Sequence, residues 1–100
     1  MSEVAKFSDT NRIKVLDKLS FAYHMISPDS GLMYAYQTLA LANKLHWEHG
    51  MALAYSNLGT NYYTKGNNDS ALQSYRRSLA LFQKLKKMKD IVVYGFFISQ

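Results

Sequence analysis

The sequence predicts an all-α chain built from antiparallel helix hairpins, and three observations carry that expectation. Apolar residues recur at three- and four-residue steps along most of the chain, the spacing that gathers them on one face of a helix. One Pro and five Gly in 100 residues leave room for only a few turns, which favours a small number of long helices. The chain also copies itself: Leu39–Leu45 (LALANKL) reappears forty residues on as Leu79–Leu85 (LALFQKL).

The first helix is expected to open at Ser8, Asp9 or Thr10, side chains suited to capping an N-terminus. Residues 1–8 read as a flexible leader. Ile13, Leu16, Leu19, Ser20 and Tyr23 then form one face. Ser27-Pro28-Asp29-Ser30 punctuates the chain: Ser27 can cap, Pro28 suits the first helical position and Asp29 favours the positive end of a helix. The second helix carries Leu32, Ala35, Leu39, Ala42 and Leu45. His46 to Gly50 is a joint, with Trp47 expected to plug the space between neighbouring hairpins.

The third helix places Tyr55, Leu58, Gly59 and Tyr62 on one face. Gly66 is placed to end it in a left-handed conformation, and Asn67 or Asn68 to cap the fourth helix, which opens with Ala71, Leu72 and Tyr75. Gly59 and Ala71 are small enough for close helix approach. Leu19-Ser20-x-x-Tyr23 corresponds to Leu58-Gly59-x-x-Tyr62, thirty-nine residues on, and the one-residue difference falls in the turn between the helices. Lys86 to Asp90 reads as the next joint. Ile91–Ile98 has β propensity, but its register, forty residues after Met51–Leu58, reads it as the first helix of a third repeat. Since a partner helix would have to follow Gln100, the chain is expected to be an N-terminal piece of a longer protein.

The spacing of an aromatic, then L-G-x-x-Y, then Ala and a further aromatic is held here by Tyr55, Leu58-Gly59, Tyr62, Ala71 and Tyr75. It resembles the tetratricopeptide (TPR) repeat. Two positions depart from that pattern: Ser78 stands where the family has Ala, and Gln83 where it usually has Pro. The resemblance implies hairpins stacked as a right-handed superhelix of about two and a half repeats, five helices in all. Hairpin one would span 9–46, hairpin two 47–87, and the incomplete third 88–100. Repeats of this length are similar to those of bacterial signalling proteins, where TPR arrays precede a sensor kinase or transcription-regulator region.

Composition narrows the function. Seven acidic residues are scattered without a paired arrangement, and there is no Gly-rich phosphate loop, nucleophile elbow or thiol, so no enzyme and no cofactor are expected. Zero Cys excludes disulfides and thiolate metal sites. His46 and His49 would share one side of a helix, but two imidazoles without a third ligand make a weak metal site, so no metal site is assigned. The N-terminus lacks the apolar core of a signal peptide, and the longest apolar run, Ile91–Ile98, is far short of the ~20 residues that span a membrane. Whether the compartment is cytoplasmic or extracytoplasmic is open.

The expected function is therefore protein–protein interaction: a peptide or partner helix held in a concave groove. The family resemblance places groove residues at Asp17, Phe21 and His24 in the first hairpin, at Ser56, Asn57, Thr60 and Tyr63 in the second, and at Val93 and Phe96 in the third. Asn57 sits where peptide-clamping relatives often carry Asn, without their companion Lys and Arg. Two alternatives stand beside this reading. One is self-association, a homo-oligomer formed through Val93, Phe96, Phe97 and Ile98 of the C-terminal helix. The other, lesser one is binding of nucleic acid or an acidic partner by the basic face Arg76–Lys89, which holds much of the net charge of +5.

Overall fold

The computed structural model describes the backbone of residues 3–99 and the side chains of residues 8–89. Four helices account for the described backbone: α1 (Glu3–Tyr23), α2 (Pro28–Lys44), α3 (Glu48–Thr64) and α4 (Asn68–Ser99). No strand occurs among the described residues. Each helix packs on the next in sequence, and α1 also touches α3, so α1–α2 and α3–α4 stack as successive hairpins. The radius of gyration, 15.5 Å, exceeds the ~13 Å of a compact 100-residue domain, as a stack with a long terminal helix should.

The helix ends follow their local chemistry. Ser27 caps α2, its Oγ accepting from the Ser30 N–H at 3.4 Å, with Pro28 at the first helical position. Asn67 Oδ1 does the same for α4, accepting from the Ser70 N–H at 3.3 Å. Gly66, at φ +85°, closes α3: its N–H donates to the Tyr63 carbonyl and the Asn67 N–H to the Tyr62 carbonyl. The end of α2 is built identically, with the His46 N–H donating to Asn43 and the Trp47 N–H to Ala42. There the left-handed position is filled by His46, at φ +53°. That conformation costs a non-glycine residue ~1 kcal/mol. His46→Gly is therefore expected to raise stability by roughly 0.5–1 kcal/mol, read as an upward shift of the denaturation midpoint.

This turn also breaks the helical geometry that would align His46 with His49. His46 lies in the left-handed turn, Trp47 is the N-cap of α3, and His49 sits in the first turn of that helix, its ring 5.7 Å from Trp47 and 5.8 Å from Phe82. Trp47 folds back over the start of its own helix, where a Cβ added to Gly50 would meet its ring at 2.8 Å.

Two expectations are corrected. Five helices were expected; α4 runs through the anticipated joint at Lys86–Asp90 as one helix of 32 residues. The segment Leu79–Lys89 consists mostly of strong helix formers, with no Gly or Pro to stop it, and Gln83 occupies the family's usual Pro position. Helix α1 begins at Glu3, ahead of the caps anticipated at Ser8–Thr10.

The core is small and lies along the seams. Leu32, Ala35 and Leu58 form its centre, with Leu39, Tyr55 and Tyr62 packed against it. Ile13, Ala42, Ala52 and Ala54 are fully buried. Gly59 lets the Tyr75 ring lie flat on α3, since a Cβ there would come within 2.6 Å of that ring. Ser78, in the place of the family's Ala, is buried and donates its hydroxyl to the Ala52 carbonyl at 2.8 Å, so its polar atom costs little.

Candidate functional site

The residues anticipated for the groove on α1 and α3 fall into two groups. The first bridges the two helices. Asn57 is buried, and its Nδ2 donates to the Asp17 carboxylate and, at 3.4 Å, to the Asp17 carbonyl. Asn57 thus clamps α1 to α3. One turn on, Phe21 lies exposed against His24, with the two rings 4.7 Å apart.

The second group lies between α3 and α4. The Thr60 hydroxyl donates to the Ser56 carbonyl at 3.1 Å and pairs with the Tyr75 hydroxyl at 2.9 Å. Tyr63 is 68% exposed and, with Ala71, Leu72 and Tyr75, lines a shallow, largely apolar pocket of about 380 Å³. Val93, Phe96, Phe97 and Ile98 lie outside the residues whose side chains are described.

Sequence reasoning missed Asn61. It is fully buried and donates Nδ2 to the Asn57 carbonyl at 2.8 Å, the Ser20 hydroxyl at 3.3 Å and the Ser20 carbonyl at 3.4 Å. Ser20 in turn donates to the Gly31 carbonyl at 2.7 Å. A polar seam, Asp17–Asn57–Asn61–Ser20, therefore joins α1, α2 and α3. Its signal in the sequence was the Asn57/Asn61 pair at one-turn spacing, flanking Leu58 and Gly59 of the seam. Asn61 Oδ1 and His24 Nδ1 are the buried polar atoms left without a hydrogen-bond partner among the described residues.

Also missed was a pocket of about 240 Å³ on the opposite face, between α2 and α4 and floored by Tyr55, Leu58 and Tyr62. The Tyr36 and Tyr62 hydroxyls meet there at 2.5 Å. That hydrogen bond, with burial, pushes the Tyr36 phenol up to about 12. The Arg77 guanidinium stands 5.6 Å over the Tyr55 ring at its edge.

Burial raises the Asp17 carboxyl above its usual 3.8, only partly offset by the Asn57 hydrogen bond and by the nearby charges of His49 and Lys18. The folded state therefore binds this proton more tightly than the unfolded chain. The resulting stability is complete below pH 3.8 and is lost as pH rises through the raised folded value, leaving a buried-charge cost at neutrality. Asp17→Asn keeps an oxygen for Asn57 and removes that cost. It is expected to raise stability slightly at pH 7, by well under ~1 kcal/mol because the carboxylate still reaches water, and to flatten the pH profile just above 3.8. Thermal melts from pH 3.5 to 7 read both effects; a lower melting temperature for the variant at pH 7 would contradict the account.

The basic face is partly engaged. Lys84 pairs with Glu48 at 2.8 Å, and Arg77 donates to the Tyr55 hydroxyl at 3.4 Å. Arg76, Lys86, Lys87 and Lys89 are exposed. No group of three or more His, Cys, Asp or Glu side chains placed to hold a metal ion occurs among the described residues. No described helix is long and apolar enough to cross a membrane.

The tetratricopeptide repeat family model matches residues 15–84, a stretch that includes the small seam residues Gly59, Ala71 and Ser78. The chain belongs to the tetratricopeptide repeat family. No curated protein and no solved structure matches it. Tetratricopeptide repeats generally mediate protein–protein interaction, and the family is typically non-enzymatic.

Proposed function

We propose that this tetratricopeptide repeat chain is a non-enzymatic binding module that holds a peptide or a partner helix along the open faces of α1 and α3. One observation carries the reading. Within each repeat the seam positions are closed, Ile13 and Ser20 in the first and Ala52, Leu58 and Gly59 in the second, while an aromatic just beyond them is exposed, Phe21 in the first and Tyr63 in the second, with His24 and Thr60 half-buried beside them. Phe21 corresponds to Thr60 and His24 to Tyr63, so both repeats offer a surface of aromatic and small polar groups in one register. Rigid aromatics beside hydroxyls suit a ligand held by packing and a few hydrogen bonds rather than by a carboxylate clamp, since Asn57 is occupied by Asp17. A right-handed superhelical continuation of the stack, and a place in a bacterial signalling regulator, belong to this same reading.

The test is selection from a displayed peptide library, followed by titration of the selected peptide. Phe21, Thr60 and Tyr63 resonances should shift together. Tyr63→Ala should weaken binding roughly tenfold, the ~1–2 kcal/mol of an exposed aromatic anchor, and Thr60→Arg should weaken it further by filling the surface. Undiminished binding by the double variant would exclude this face.

A further inference from the structure

Helix α4 carries an exposed apolar stripe at helical spacing: Leu72, Tyr75, Leu79 and Phe82. The internal repeat gives each a counterpart forty residues earlier on α2, namely Leu32, Ala35, Leu39 and Ala42. On α2 that stripe is covered by α3. Leu32 is 9% exposed against 50% for Leu72, and Ala42 is 0% exposed against 36% for Phe82. What covers the α2 stripe is the stretch of α3 around Tyr55 and Leu58. The described chain supplies no such cover for α4.

Residues 91–99 (IVVYGFFIS) stand forty residues after 51–59 (MALAYSNLG), with Ile91, Val93 and Ile98 at the places of Met51, Leu53 and Leu58 and Gly95 at that of Tyr55. Yet they cannot serve their own stripe, because α4 is one helix through Ser99. At ~1.5 Å per residue, Gly95 is carried about 24 Å along the axis from Leu79. Repeat equivalence requires those two positions to be neighbours, since Leu39 and Tyr55 line one pocket. Glu48 is the first residue of α3, so its ion pair with Lys84 marks how far α3 accompanies α4, and the remainder of α4 extends past the hairpin. A covering helix displaced from its own receptor by a straightened joint is the arrangement of an exchanged dimer.

We propose that residues 91–99 of one copy of this chain lie across Leu72, Tyr75, Leu79 and Phe82 of a second copy, which returns the same contact. This surface adjoins the α3 face, since Leu72 and Tyr75 line one pocket with Tyr63 and the Tyr75 hydroxyl meets Thr60, whereas Leu79 and Phe82 lie outside that pocket. The receptor is largely apolar, as a core cut in two would be.

The experiment has two parts. Light scattering of the 100-residue chain at tens of micromolar is expected to give twice the 11.5 kDa of one chain. Leu79→Glu, at a 57% exposed position, is expected to give a monomer with unchanged helical circular dichroism. The chain has no Cys, so engineered pairs report cleanly. Oxidising a mixture of the single variants Leu79→Cys and Gly95→Cys should yield a covalent heterodimer. A monomeric parent chain, a dimer that survives Leu79→Glu, or an internally bonded monomer from the double variant Leu79→Cys/Gly95→Cys would each overturn the proposal, the last by showing that the helix folds back on its own chain.

Discussion

Gly31→Ala is expected to destabilise the protein by roughly 2–3 kcal/mol, although Ala is what the repeat calls for at that position. Ala71, forty residues on, holds the equivalent place and is tolerated. The difference is Asn61. A Cβ on Gly31 would stand 1.9 Å from Asn61 Oδ1 and 2.5 Å from its Cγ. Asn61 cannot swing away, because it is fully buried and its Nδ2 is held by Ser20 and Asn57. Gly59→Ala makes a useful contrast: its Cβ would meet the Tyr75 ring at 2.6 Å, but that ring is 40% exposed and can tilt outward. Its cost should be smaller, of order 1 kcal/mol. The pair Gly31→Ala and Asn61→Ala should be strongly non-additive, because removing the Asn61 side chain makes the room that the added methyl group needs. Urea denaturation of the four proteins of this cycle reads the coupling. A coupling energy near zero would show that the two residues do not compete for the same space.

Ile13→Ala should cost roughly 2–4 kcal/mol, whereas Val15→Ala, two residues along the same helix, should change stability by less than ~0.5 kcal/mol. Ile13 is fully buried, the largest side chain that is so among the described residues, and its truncation leaves a cavity. Val15 is 57% exposed, so its truncation removes little contact, and Ala is the better helix former. Equal losses at the two positions would mean that α1 is not seated on the face described.

The helical fold was legible because its determinants are local. Ile13, Leu32, Ala35, Leu58 and Ala71 all lie on the face that the three-and-four spacing assigns them, and all are buried. The stops were legible for the same reason: Ser27 with Pro28, Gly66 and Asn67 each act on the backbone within a few residues. The fifth helix was misread because a joint was inferred from repeat register where no residue enforces one. Local propensity carried α4 straight through Lys86–Asp90.

The candidate site was legible only as a set of positions. The family resemblance placed Asp17, Phe21, Thr60 and Tyr63 along a groove. It could not show that Asn57 is consumed by Asp17, or that Thr60 is tied to Tyr75. Those bonds join residues 15 to 40 positions apart, and their existence depends on how closely the helices approach. The sequence by itself thus determined that this chain is a set of helical hairpins copied at a forty-residue interval, since repetition and spacing are properties of the chain alone. Only the tertiary structure decided which copies of a residue are covered. Leu32 and Leu72 are the same residue in the same local pattern, yet α3 covers one and no described helix of the chain covers the other, because burial depends on what packs against a face and not on the face itself.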